Sequence, residues 1–508
     1  MSRSPSLRTD SSAPPFRRLL VANRGEIALR VIRACRELGI SPIAVHSDAD
    51  ANALHVRAAD RSERIGPAPA GESYLSIGAI LEAARSSGAE AIHPGYGFLS
   101  ENAAFARAVE EAGLVFVGPP PSVLEALGNK LEARRSAAAV GVPIVPGTTV
   151  ALEDDVSAVE EIGYPVMLKA AAGGGGRGMR RVDEAGQLSE AMAAARREAA
   201  AAFGDGTIYV ERMVAPARHV EVQLLGDRHG GLAILGEREC SIQRRHQKLV
   251  EESPSPAVDD HIREALFDSA RRVAATVDFH NAATVEFLLD TYANHFFLEM
   301  NTRLQVEHGV SELVTGIDLV AWQIRVAAGE RLPLDVLQAP RRGHAIEVRL
   351  YAEDPYDGFR PTAGRVGVWR MPDGPGTRVD AGIEADTDLP PEYDPLLTKL
   401  LVHAADRPAA VDRLRRALDE TLIGGVQTDA GFLRWLVDDD AFAAGDYDTS
   451  LVAERWRTGP ALTAEERSLA GLAALEARRA AVASTTAPAT APIGSAWGER
   501  ARREALRG

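Results

Sequence analysis

Apolar residues in the first third of the chain fall into short dense runs separated by stretches with helical spacing. Arg18 to Ala22 reads as a strand, Asn23-Arg24-Gly25 as a turn, Glu26 to Leu38 as a helix closed by Gly39, and Pro42 to His46 as a strand again. That order predicts a βαβ unit opening a doubly wound α/β domain. The alternation continues through Tyr74 to Arg85, Ala89 to His93 and Asn102 to Val117. The turn from His93 to Asn102 follows a strand, where open α/β sheets bind ligands, and its Tyr96 reads as exposed. Its Pro94 and glycines also suit a simple turn.

Past Pro119-Pro120-Pro121, Gly128-Asn129-Lys130 opens a new helix. Gly163 to Lys169 is a strand that ends in a lysine and runs into Gly173-Gly174-Gly175-Gly176-Arg177-Gly178-Met179. Glycines let backbone N–H groups approach phosphate oxygens, and the lysine adds a point charge. No Gly-Lys-Ser or Gly-Lys-Thr follows, so this is not a Walker loop. Helical spacing over Ala191 to Ala202 precedes a strand over Thr207 to Val214, which leads to Arg218-His219. Glu237 to Lys248 then concentrates cationic and amide groups, as either a surface charge run or an oxyanion pocket.

The densest polar pattern is Phe296 to His308. Run extended, it puts Glu299, Asn301, Arg303, Gln305 and Glu307 on one face and Met300, Thr302, Leu304 and Val306 on the other. Thr284 to Asp290 reads as a strand, and a turn over Thr291 to Asn294 folds the two into a hairpin that brings Glu286 near Glu299. Two carboxylates and an amide oxygen are hard ligands of the kind Mg²⁺ uses when it also holds nucleotide phosphates. Alternating charge usually marks a solvated strand face. Here Phe296-Phe297-Leu298 runs into the charges without a polar break, which predicts a buried strand ending in a site.

After Gly343 to Arg349 the pattern becomes strand-rich with many Gly and Pro turns, so a further unit begins near there. Tyr393 to Leu400 contains Lys399, Ala409 to Leu422 is helical, Leu462 starts an Ala-rich helix, and Ala483 to Ser495 reads as a linker. Residues 1–15 lack the apolar core of a secretory signal and predict a disordered lead-in.

A length of 508 residues allows two to four domains, and 45% hydrophobic with 25% charged residues is an ordinary globular balance. No run approaches a membrane span, and a net charge of -15 disfavours nucleic acid or an anionic membrane as the main partner. Cys35 and Cys240 are too few for a disulfide framework or a zinc motif and point to a reducing, cytoplasmic setting. Lysine usage changes the picture more: of 57 Lys and Arg residues four are lysines, Lys130, Lys169, Lys248 and Lys399. A lysine retained against such a bias marks a place where a compact ammonium is not replaceable by a guanidinium.

These motifs together identify a resemblance. Leu20 to Ala28 (Leu-Val-Ala-Asn-Arg-Gly-Glu-Ile-Ala), the His93 to Asn102 turn, the glycine loop, Gln243 to Lys248 and Glu299 to His308 resemble the biotin carboxylase subunits of acetyl-CoA and acyl-CoA carboxylases, in the ATP-grasp superfamily, from about Phe16 to about Leu451. Gly236 to Cys240, Tyr393 to Lys399 and the tail look most like the methylcrotonyl-type α subunits. The resemblance implies a lead-in over 1–15, a Rossmann-like N-terminal domain over 16–128, an ATP-grasp domain over 129–335 with a mobile lid at about 142–213, a C-terminal α+β domain over 343–451, and a helical tail and linker over 452–508.

It also implies the site. ATP is expected on Lys130, Lys169, Gly175, Gly176, Glu211, Arg212, Met213, Val214, His219, His246, Glu286 and Glu299, with two Mg²⁺ or Mn²⁺ ions on Glu286, Glu299 and Asn301. Bicarbonate is expected on Lys248, Arg303, Gln305 and Val306, and biotin on Tyr96 and Arg349, with Glu307, Arg303, Arg349 and Lys248 catalytic. Glu307 would deprotonate bicarbonate for attack on the γ-phosphate, giving carboxyphosphate. Its breakdown yields CO₂ and phosphate; the phosphate takes the ureido proton and Arg349 stabilises the developing oxyanion. A closing lid keeps water from the intermediate.

Asn129 stands where Asp is usual, Ala171 and Ala172 shorten the loop's Ser-Gly start, and Gly309 replaces a frequent Pro. No Met precedes a Lys, so the biotin is expected on a carrier protein or domain of another chain, beside a carboxyltransferase subunit and within a homodimer or larger complex. The alternatives are another ATP-grasp ligase of carbamoyl-phosphate type, or a non-catalytic scaffold subunit.

Overall fold

The first sheet follows directly from the alternating pattern. Strands β1 (Arg18–Val21), β2 (Ser41–Ser47), β3 (Arg61–Gly66), β4 (Ala91–His93) and β5 (Val115–Phe116) pair in parallel in the order β3-β2-β1-β4-β5. This is the expected doubly wound unit. The first helix, Gly25–Glu37, places Ile27, Ala28, Val31, Ile32 and Cys35 at helical spacing on one buried stripe. That stripe packs on Leu19 and Val21 and on Leu319, Val320 and Ile324 of a later helix, so the N-terminal sheet is tied to the centre of the molecule. Each fully buried side chain of this kind stabilises by about 1.5–3 kcal/mol.

The computed structural model describes residues 14–148, 157–171 and 179–456. The expected phosphate-loop positions Gly175 and Gly176, Ala172, most of the lead-in and the tail beyond Trp456 lie outside the described residues.

The helix expected at Lys130 runs over Lys130–Ala139, and Pro121 starts a further helix just before it, over Pro121–Gly128. Asn129 caps the second helix, accepting from Leu131 N at 3.0 Å and Glu132 N at 3.2 Å, the service an Asp would perform there, worth about 1 kcal/mol. Strands β6 (Val166–Ala170), β7 (Arg180–Val182) and β8 (Ile208–Arg212) form a small antiparallel sheet in the order β7-β6-β8. The helix Ala185–Phe203 covers it through Leu188, Met192 and Ala195.

The central sheet has eight strands: β9 (Ala217–Gly226), β10 (Leu232–Arg244), β11 (Gln247–Ser253), β12 (Asn281–Asp290), β13 (His295–Asn301), β14 (His344–Tyr351) and two further strands, Thr377–Ala381 and Leu396–Ala404. Their spatial order is β13-β12-β9-β10-β11-β14, then Leu396–Ala404, then Thr377–Ala381. The strand-rich region after Gly343 therefore extends the central sheet, because β14 pairs with β11.

The hairpin of β12 and β13 forms as expected, with Glu286 opposite Glu299 and Asp290 N donating to Asn294 O at 3.0 Å in the turn. The extended reading of Phe296 to His308 is corrected beyond Asn301. There β13 ends and the chain turns into the helix His308–Thr315. The carbonyl of Gln305 is met by His308 N at 3.3 Å and by His308 Nδ1 at 2.8 Å, so local bonds replace a ladder. Arg303, Gln305 and Glu307 reach the site from a turn, not from one strand face.

Candidate active site

Strand register builds the floor. Glu299 on β13, Glu286 on β12, Glu221 on β9 and Arg238 on β10 stand directly opposite one another across four adjacent strands. Four charged groups in one row of a buried sheet require partners, and each has them. The Arg238 guanidinium, fully enclosed, donates to Glu221 at 2.5 Å, Gln223 at 2.7 Å, Ser311 at 2.8 Å and Thr284 at 3.1 Å. Lys248 Nζ binds the other oxygen of Glu221 at 2.6 Å, Glu307 Oε1 at 2.6 Å and Glu286 Oε1 at 3.2 Å.

Glu307 has 0% of its surface exposed and lies between two cations, Lys248 on Oε1 and Arg349 on Oε2 at 2.8 Å. Burial works against its charge, but Lys248, Arg349 and Arg238 outweigh burial and hold its carboxyl well below the usual range. Arg349 also pairs closely with Glu251, whose own carboxyl is pushed up by burial. Arg303 closes the other side: its Nε meets Glu101 at 2.9 Å, and its terminal nitrogens donate to Gln305 at 3.0 Å and Asn301 at 3.1 Å. Gln305 in turn donates to Glu286 at 3.0 Å. Lys248, Arg303, Arg349 and Glu307 thus surround one position with a carboxylate at its base.

On the opposite flank Lys130 Nζ lies 2.9 Å from Glu299, and Lys169 and Arg134 both pair with Glu211. His219 Nε2 is 2.7 Å from Glu286. His246 sits exposed at the tip between β10 and β11, where partial desolvation and the charges of Lys169, His219 and Lys130 lower its pKa. Arg212 N bonds Pro146 O at 2.7 Å and Met213 N bonds Pro165 O at 3.0 Å, so the strand end holding Glu211, Arg212, Met213 and Val214 is braced beside these lysines.

The donor set fits a divalent cation. Burial opposes ionisation of Glu286 and Glu299, yet Lys248 and His219 keep the Glu286 carboxyl well below the ordinary range and Lys130 lowers that of Glu299. Asn301 Nδ2 faces both, at 2.8 Å from Glu286 and 3.3 Å from Glu299. A divalent ion held by these carboxylates would take Asn301 through its oxygen only if the amide turned, since that oxygen here accepts from Arg303. His219, Glu221 and Glu286 also bring ligand atoms within 4.8 Å of one another, as do Glu221, Cys240 and Glu307.

Tyr96 differs from its expected exposure. It is half-buried, and its hydroxyl donates to Glu26 on the first helix. Asn23 braces the turn by donating to the carbonyls of Pro94 and Tyr96, both at 2.7 Å. Gly95, at φ +64°, passes so close that a Cβ would lie 2.9 Å from the Asn23 amide.

Glu221 and Glu251 in this site carried no sequence signal, and Arg238, Glu347, Glu26 and Glu101 lay in noted stretches but had no role assigned. Lys399 carried a signal, as one of four lysines, but no role. It is fully buried, and its ammonium donates to the carbonyl of Val306 at 2.7 Å.

Three family models match the chain: biotin carboxylase, N-terminal domain, over residues 15–124; carbamoyl-phosphate synthase L chain, ATP binding domain, over 129–335; and biotin carboxylase C-terminal domain over 347–454. The biotin carboxylase of Halalkalibacterium halodurans is 49% identical over 440 residues, 86% of this chain and 97% of that protein. The mitochondrial methylcrotonoyl-CoA carboxylase subunit alpha of Oryza sativa subsp. japonica is 48% identical over 446 residues, 87% of this chain and 60% of that protein. Among solved structures, the biotin carboxylase domain dimer of Hydrogenobacter thermophilus 2-oxoglutarate carboxylase, in complex with MgADP, ADP and bicarbonate, superposes with a TM-score of 0.85 at 43% identity, covering 88% of this chain and 99% of that one.

Proposed function

We infer what this chain does from the premise that it belongs to the biotin carboxylase family: it is an ATP-dependent ligase that carboxylates biotin with bicarbonate. The observation that carries the reading is Glu307, a buried carboxylate held between Lys248 and Arg349 at the base of a cationic cup. An anion the size of bicarbonate entering that cup competes for Lys248 and Arg349. As those contacts loosen, Glu307 loses the charges that depress its pKa and becomes the better base at the moment it is needed.

The same reading assigns the remaining roles. Lys130, Lys169, His219, His246 and the Glu211 to Val214 strand end hold the nucleotide. Glu286, Glu299 and Asn301 hold divalent ions, which when bound draw charge from the phosphates. Lys248, Arg303, Gln305 and the Val306 backbone orient bicarbonate, whose deprotonated oxygen attacks the γ-phosphate. Carboxyphosphate then yields CO₂ and phosphate; the phosphate removes the ureido proton of biotin, and the nitrogen so freed attacks CO₂. Arg349 neutralises the ureido oxygen during that attack, beside Tyr96. Residues 16–128, 129–335 and 343–451 serve as the N-terminal, ATP-grasp and C-terminal domains. A carrier bearing the biotin and a carboxyltransferase are the expected partners, in a cytoplasmic homodimer or larger complex. No helix among the described residues is long and apolar enough to cross a membrane.

The test is ADP release from Mg-ATP by the purified chain, with and without bicarbonate and with and without free biotin. Release that needs both supports biotin carboxylation. Release that needs bicarbonate but ignores biotin points to another ATP-grasp ligase.

A further inference from the structure

Lys399 stands apart from the other three lysines, of which Lys248 lies in the catalytic cup and Lys130 and Lys169 on its opposite flank. It lies on the strand Leu396–Ala404, directly opposite Arg349 on β14 and Asp380 on the neighbouring strand. Its ammonium, fully enclosed, donates to the Val306 carbonyl at 2.7 Å and faces Glu26 Oε1 at 3.4 Å and Asp380 Oδ2 at 3.8 Å. Glu26 Oε1 is also the acceptor of the Tyr96 hydroxyl. An unbroken polar chain therefore runs from Tyr96 through Glu26 and Lys399 to the backbone of Val306. It joins four parts of the fold: the turn after β4, the first helix, the strand next to the far edge of the central sheet, and the turn after β13.

We propose that Lys399 is a positioning residue that couples the biotin side of the site to the bicarbonate loop, by holding the Val306 carbonyl and the Glu26 carboxylate on one ammonium. The proposal rests on the reading of Tyr96 as a biotin contact and of Val306 as a bicarbonate contact.

Three features support it. Val306 directly precedes Glu307, so the peptide that Lys399 holds by its oxygen is the one that aims the buried carboxylate. Glu26 keeps its second oxygen, Oε2, buried and without a hydrogen-bond partner, so this carboxylate is poised between the Tyr96 hydroxyl and Lys399 rather than locked by a full set of bonds. A shift of Tyr96 on ligand binding changes what Glu26 offers Lys399, and hence how firmly Lys399 holds Val306. Finally, an ammonium directs three donors from a single point, which suits a carbonyl and two carboxylates in different directions; a planar guanidinium does not. Burial opposes the charge, but Glu26, Glu347 and Asp380 outweigh it and raise the Lys399 pKa, so the cation persists. This accounts for a lysine far from the nucleotide in a chain that otherwise uses arginine.

The experiment is a binding cycle by calorimetry on the full chain with Mg²⁺ and a non-hydrolysable ATP analogue. The dissociation constant of biotin is measured with and without bicarbonate. For the parent, bicarbonate tightens biotin by at least about fivefold, and biotin tightens bicarbonate by the same factor. In Lys399→Arg that ratio falls to within about twofold of one, while the nucleotide affinity, which a general loss of structure would move, stays within about twofold of the parent. Glu26→Gln, which keeps the shape and removes the charge, gives the same loss of ratio and stands in if the lysine variant does not fold. A parent ratio of one, or a ratio kept in either variant, overturns the proposal. A parent that releases ADP without regard to biotin overturns the functional reading itself, a different result from a biotin-dependent enzyme whose ratio is one.

Discussion

Lys248 Nζ and Glu307 Oε1 meet at 2.6 Å in the base of the site, with Glu307 entirely enclosed. The pair is not isolated: the same ammonium binds Glu221 and Glu286, and the same carboxylate binds Arg349. Such an arrangement keeps Glu307 ionised and poorly basic until an anion draws the cations away. Glu307→Gln keeps the shape and removes the proton acceptor. It is expected to lower bicarbonate-dependent ADP release by about 10²–10⁴-fold and to lower the melting temperature as well, since Lys248 and Arg349 lose a buried counter-charge, so turnover is compared where the variant is fully folded. Turnover within threefold of the parent would remove Glu307 from the role of base.

Divalent ions enter the prediction through Glu286 and Glu299, opposed across β12 and β13 and both held ionised by cations. Chelation is expected to abolish ADP release and Mn²⁺ to restore it. Glu299→Gln is expected to raise the Mn²⁺ concentration needed for half activity by about 10–100-fold, a scale seen when groups around a metal are changed. Titration of Mn²⁺ by electron paramagnetic resonance on the same variant separates lost ion binding from lost chemistry. Unchanged Mn²⁺ affinity would move the ion site elsewhere.

Gly309 is one of the departures noted in the sequence. A Cβ there would lie 2.4 Å from Leu401 Cδ2 and 3.1 Å from Glu347 Oε2, so a side chain at this point of the helix after Glu307 fits only if Leu401 and Glu347 give way. Gly309→Ala is expected to destabilise by about 1–3 kcal/mol through overpacking, and Leu401→Val in the same chain to recover part of that. Urea midpoints of the two single variants and the double variant read this out. Additive losses would mean that the contact with Leu401 is not what excludes a side chain.

How much of this could be read beforehand depended on where the information lay. The parallel sheet, the hairpin and the pairing of Glu286 with Glu299 were readable, because local periodicity and a short turn fix them. Glu221 and Glu251 were not, since Glu221 is a lone acid in an apolar strand, Glu251 sits beside Glu252 in a short polar one, and the meaning of each comes from its partners on other strands. Arg238 was read as part of a charge run, yet register puts it in the core beside Glu221. Arg303, Gln305 and Glu307 were placed in the site for a reason that proved partly wrong: alternation of polar residues looks the same in a strand and in a turn lined by bonded side chains. Lys399 stood out by its rarity, but its partner is a backbone carbonyl, which no side-chain pattern reveals.

The last prediction concerns acid stability away from the catalytic cup. Glu252 is fully buried, with His344 Nε2 at 2.6 Å, Arg407 at 2.7 and 3.0 Å, and the Tyr447 hydroxyl donating to it. Burial raises its pKa, but the hydrogen bonds from His344 and Arg407 and the charge of Arg407 prevail and push it down to about 2. Because the folded value lies below the unfolded one, the carboxylate contributes stability that is fully present above about pH 5 and is lost as the pH falls toward 2. The contribution is on the order of 3 kcal/mol. These contacts bind β11 and β14 to the C-terminal helix Arg407–Glu420 and to the segment around Tyr447, so their loss loosens that end of the sheet first. Comparing urea midpoints of the parent and Glu252→Gln at pH 7 and at pH 3 tests this. The gap between them is expected to shrink at the lower pH, because the unfolded parent there takes up a proton on Glu252 that the folded parent still largely excludes, and this favours unfolding. A gap that stays constant would show that the Glu252 side chain acts there through packing and not through its charge.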